Sequence, residues 1–120
     1  MVITGPTVIS AEMKCKVFLK QQHAQWKSLG GARLKLFEQQ GPIVVKQLVV
    51  AADNKNKDLI ISTIILTDGL ERVGRTGIAI ELSDKGLRTG IIYMVQLRNE
   101  ADTTRLFNSL LVGSDRSGAR

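Results

Sequence analysis

The chain has 120 residues, 43% of them hydrophobic and 23% charged, with a net charge of +6. That suffices for one buried core and not for two, and apolar residues spread from 12 to 112 exclude a disordered chain. The single Cys, Cys15, excludes an internal disulfide, and no apolar run reaches the roughly 18 residues of a membrane span.

Charge is unevenly placed. Residues 1–50 hold seven Lys/Arg against two acids, Glu12 and Glu38, whereas residues 51–120 hold ten against nine. A basic face in the first half is expected, suited to an anionic partner. The N-terminus lacks the basic start and apolar stretch of a signal peptide. A cytoplasmic location is the default expectation, with a nuclear one left open.

Residues 1–11 contain Gly5-Pro6 and no charge before Glu12; they read as a flexible or loosely docked segment preceding a domain over 12–112. Strict alternation then begins. In Lys14–Lys20, Cys15, Val17 and Leu19 fall on one face, and Lys14, Lys16, Phe18 and Lys20 on the other. In Gly31–Phe37, Ala32, Leu34 and Leu36 alternate with Arg33, Lys35 and Phe37. Successive strand side chains point to opposite faces, so both strands have a core face and a cationic face.

Gly41-Pro42 punctuates the chain before a strand over Ile43–Ala51. The polar run 52–57 reads as a hairpin loop, supplying Lys55 and Lys57. Strands follow over Leu59–Leu66, Leu70–Val73, Ile78–Leu82 and Gly90–Arg98, the last with Ile91, Tyr93, Val95 and Leu97 on one face. Short connections suit antiparallel neighbours. From Asn99 to Val112 the period changes: Leu106, Phe107, Leu110 and Leu111 recur three and four apart. Asn99 is the expected N-cap, with Glu100 and Asp102 in the first turn and Gly113 as the stop. Residues 113–120 read as a flexible polar tail.

The fold class is therefore mainly β with one helix: about seven antiparallel strands in a bent sheet or partly open barrel, capped by a C-terminal helix. This layout resembles the pleckstrin-homology superfold, and locally its Ran-binding-domain branch. That branch opens its second strand with Trp-Lys-x-x-Gly-x-Gly, which reads here Trp26-Lys27-Ser28-Leu29-Gly30-Gly31-Ala32. Tyr93–Asn99 is similar to the branch's final strand. Ala32 stands where the motif has its second Gly, and Ser28-Leu29 where charged residues are usual. The pleckstrin-homology resemblance implies a phosphoinositide site made by a basic residue on the first strand and a basic-x-basic pair on the second, matched by Lys20 and Arg33-Leu34-Lys35.

No enzyme is expected. Cys15 alternates with core residues, and His23 is the sole His, so no His-paired metal site exists. No cofactor is implied, since nucleotide-binding loops are missing. Gly74-Arg75-Thr76-Gly77 lies between strands and reads as a turn. Trp26 is either a core anchor or an exposed platform. Phe18 is either covered by Val8 or Ile9 or faces a partner, and Phe37 stands in the same position beside Lys35. The binding candidates are Lys16, Lys20, Lys27, Arg33, Lys35, Lys55 and Lys57. They point first to an anionic lipid headgroup, with peripheral membrane association, and alternatively to an acidic protein segment or small GTPase. Five aromatics and no basic helix disfavour nucleic acid. Self-association through a strand edge is a further expectation.

Overall fold

The computed structural model describes residues 7–39 and 44–111. Seven strands and one helix occur in chain order: β1 (Thr7–Lys20), β2 (Trp26–Gln39), β3 (Val45–Ala52), β4 (Leu59–Ile64), β5 (Leu70–Val73), β6 (Gly77–Asp84), β7 (Leu87–Gln96) and α1 (Glu100–Leu110). They form one antiparallel sheet in the order β4-β3-β2-β1-β7-β6-β5. The expected fold class is the observed one. Residues 1–6, the Gly41-Pro42 turn and the tail after Leu111 lie outside the described residues.

Alternation explains the core. Val17 on β1, Leu34 and Leu36 on β2, Leu48 and Val50 on β3, and Val95 on β7 are fully buried on one face. Ile78 and Ile80 close it from β6, and Leu106 and Leu110 of α1 cover its open end. Each such side chain contributes about 1.5–3 kcal/mol by leaving water. The bend that brings the halves together is sealed at a seam between β4 and β6. There Ser83 N–H donates to Thr63 Oγ1 at 2.9 Å, and Ser83 Oγ donates to the Ile64 carbonyl at 2.7 Å.

The first two strands are longer than alternation alone indicates. β1 begins at Thr7, so residues 7–11, expected as a loose segment, pair with the end of β2, Thr7 facing Gln39. β2 begins at Trp26, where the Trp26–Ala32 motif implies its opening, and runs through Gly30 and Gly31. A register shift between Val17 and Phe18 keeps the hairpin paired there, and Gly30 adopts φ +94°, which Gly alone takes without strain. β7 starts three residues early because Lys85-Gly86, both at positive φ, make a two-residue hairpin. It outruns β1, which pairs with it only over Lys16–Leu19, and Ile91 is left exposed rather than sharing the buried face of Val95 and Leu97.

α1 is capped as its sequence requires. Asn99 Oδ1 accepts from Asp102 N–H at 2.7 Å, and Thr103 Oγ1 donates to the Asn99 carbonyl. Its far end is held by Lys46 of β3. The Lys46 ammonium, buried, donates to the Ser109 and Leu111 carbonyls at 2.7 and 2.8 Å. A cation at the negative end of the helix dipole satisfies carbonyls that have no partner within the helix. Between them, Arg72 ties β5 to α1 through the Thr104 hydroxyl and lies over the Phe107 ring at 5.9 Å.

Candidate functional site

With the core face filled, chemistry falls to the outer face of β1–β4. Lys14 stands opposite Arg33, and Glu12 opposite Lys35. Arg33, Lys35 and Lys57 line one cleft of about 240 Å³, floored by Val49, Ala51 and Ala52. Beside it a second, of about 530 Å³, opens between β1–β2 and the end of β7, lined by Lys14, Lys16, Thr76, Gln96 and Arg98 and reaching the core-face residues Cys15, Ala32 and Leu97. Asp53 lines both and so divides them. Its backbone N–H is held by the Gly31 carbonyl at 3.0 Å, which fixes that wall to β2.

Five cations thus flank these clefts besides Arg98. Two carboxylates temper them, Asp53 and Glu12, the latter 3.7 Å from Arg33 in a pair about half exposed on both sides. Exposed pairs of this kind are worth under about 1 kcal/mol and exchange readily for another anion.

The remaining candidates lie elsewhere. Lys20 sits at the far end of β1 with its ammonium 6.0 Å from the Trp26 ring centre. Both line a third cleft of about 240 Å³ whose other charged groups are Asp68, Glu71, Glu81 and Arg88. Arg88 donates to Glu81, and Gly90 N–H reaches the same carboxylate, holding the Glu81 carboxyl below the usual carboxylate range. Lys27 and Lys55 are exposed and line none of the three clefts. Lys20 is therefore not gathered with Arg33 and Lys35 in one of these clefts.

Trp26 is half-buried beside that third cleft and is not among the buried core residues. A tryptophan opening β2 is carried out to the hairpin end, beyond the core. Phe18 pairs with Ser28 and Met94, whereas Val8 and Ile9 pair with Glu38 and Phe37 at the other end of the hairpin. Neither covers Phe18. Lys14 and Arg98 are cations that the candidate set omitted. Lys14 was already in phase with Lys16, and Arg98 becomes relevant only because β7 ends beside β1. Burial pushes the Cys15 thiol up to about 12, which removes it as a nucleophile near neutral pH. Among the described residues, no helix is long and apolar enough to cross a membrane.

Comparison with known proteins adds family and fold. The family model of the UPF0508 C-terminal domain matches residues 6–111. No curated protein matches the chain. Among solved structures, the chain is similar to the Ran binding domain of the nuclear complex component Nup2 from Ashbya gossypii. The two are 14% identical, the match covers 94% of this chain and 97% of that one, and the TM-score is 0.70. The architecture is pleckstrin-homology-like and similar to a Ran-binding domain, as the Trp26–Ala32 motif implied.

Proposed function

The chain belongs to the UPF0508 C-terminal domain family, and from that premise we propose that it is a non-catalytic protein-interaction module whose outer β1–β3 face receives an acidic segment of a partner. The observation that carries this reading is the pair of adjoining clefts holding Lys14, Lys16, Arg33, Lys35 and Lys57, with Arg98 at the margin. Two clefts that share Asp53 suit an elongated ligand that crosses from one to the other. The first-strand cation of the headgroup pattern, Lys20, stands apart from Arg33 and Lys35, over Trp26. The similarity to a domain whose printed name is a Ran binding domain supports a protein partner, with an acidic stretch of a small GTPase as one candidate. A cytoplasmic or nuclear site of action accords with that reading.

Binding of a Glu/Asp-rich peptide, followed by backbone amide shifts at near-physiological salt, tests the proposal. Shifts are expected along Lys14–Lys16 and Arg33–Lys35, and the double charge reversal Arg33→Glu/Lys35→Glu is expected to weaken binding by at least about tenfold, or 1.4 kcal/mol. Vesicles of phosphatidylserine with and without phosphoinositide serve as the parallel arm. Headgroup-selective sedimentation without peptide binding would overturn the protein-partner reading.

A further inference from the structure

We infer that the acidic segment carries a large apolar side chain two residues beyond its acids, in the pattern acid–x–acid–x–apolar. The inference rests on the interaction role proposed above and adds the chemistry of the partner.

Register sorts the outer face of β1–β4 into rows. The first runs Lys14, Arg33, Ala51 and the exposed Leu59; the second runs Glu12, Lys35, Val49, Ser62. Past the irregularity between Ile9 and Ala11, the third runs Ile9, Phe37, Gln47, Ile64. This third row has no charge. Ile9 and Ile64 at its ends are 52% and 42% exposed. Phe37 and Ile64 line a cleft of about 280 Å³ with Val45, Thr7, Gln39 and Gln47.

A scattered exposed Ile needs no explanation. Here, however, an uncharged row with Ile9, Phe37 and Ile64 around Gln47 crosses four strands, one step beyond Lys35 and two beyond Arg33 on the same face, so one partner would meet both. The spacing is set by the strand itself. Side chains on one face recur every two residues, about 7 Å apart, so Arg33, Lys35 and Phe37 follow one another in equal steps along β2. An extended segment lying along that strand has the same repeat. Carboxylates two residues apart then meet Arg33 and Lys35, and the next inward side chain meets Phe37. The cleft has room for a single Leu, Phe or Trp side chain. Glu12, directly opposite Lys35 and 3.7 Å from Arg33, competes for the same cations, and as an exposed pair it exchanges for an incoming carboxylate at small cost.

The test uses three short fluorescent peptides of equal charge: Glu-x-Glu-x-Phe flanked by Gly and Ser, the same with Phe replaced by Ser, and one with Phe moved next to an acid. The full chain is expected to bind the first at least about fivefold more tightly than the other two. Ile64→Ser, at an exposed position, should erase that advantage and leave binding of the Phe-free peptide unchanged. Equal affinity for the first two peptides would overturn the inference while leaving the basic-face proposal standing. Failure to bind any of them would overturn both. Should Ile64→Ser instead perturb the amide signals of residues 2–6 with peptide affinity unchanged, the cleft would belong to the chain's own start, and the inference falls.

Discussion

Lys46 is the residue on which the helix end depends. Its ammonium meets two carbonyls in a buried position, and hydrogen bonds to a charged donor are each worth about 1.5–3 kcal/mol. Lys46→Met keeps the apolar stem but leaves the carbonyls unmet. A loss of about 2–3 kcal/mol in urea unfolding is expected, with the amides of α1's last turn the first to exchange. The period of β3 contained the warning: Lys46 is in phase with Leu48 and Val50, so a cation was bound for the core face. What no strand pattern supplies is the helix end waiting there. Glu81 gives a pH signature of its own. Arg88 and the Gly90 N–H lower its carboxyl in the folded state relative to the ordinary 4.5. Its stabilising contribution is complete above that value and is lost as pH falls through the folded-state titration. Glu81→Gln should therefore flatten the decline of the urea midpoint on acidification below about pH 4.5, and leave its neutral-pH dependence unchanged. Cys15, pushed up to about 12, should resist a thiol reagent at mildly alkaline pH until denaturant is added.

At the level of elements, strand faces were legible wherever alternation was strict, and strand ends were not. Cys15, Val17, Ala32, Leu34 and Leu36 were placed inward by period alone, and all five are buried. The beginning of β1 was hidden because it needs its partner, whereas the Trp26–Ala32 motif had implied the opening of β2. Val8, Ile9 and Gly30 gain a reason to be extended only from the partner across the ladder. The β5–β6 corner shows how tightly such a partner can bind a position. A side chain on Gly77 would bring its Cβ to 2.7 Å from the Val73 carbonyl and 2.9 Å from Met94 Sδ. The sulfur can yield; the carbonyl belongs to the β5–β6 pairing. Gly77→Ala is expected to cost about 1–3 kcal/mol, with faster exchange of the β5 amides as the readout.

For the whole molecule, the imbalance of charge between the two halves of the sequence located a face, while its distribution over that face required the fold. Lys20 and Arg33 both lie on outward strand positions, yet the hairpin carries Lys20 to Trp26 and leaves Arg33 beside Lys57. Partner binding through Lys14, Lys16, Arg33 and Lys35 should weaken steeply as salt rises, whereas the apolar increment from the Phe37 row should persist. Comparing the two peptide affinities over a salt series separates these contributions. The central place of β1 has a different consequence, one of timing. β1 joins β2 on one side and β7 on the other, so it is the hinge of the whole sheet. On the ribosome, β1 through β4 can assemble as soon as they emerge, but the free side of Lys16–Leu19 must wait for Tyr93–Gln96. Until then a nascent chain displays an unpaired strand bordered by lysines, an edge whose charges discourage neighbours from joining it.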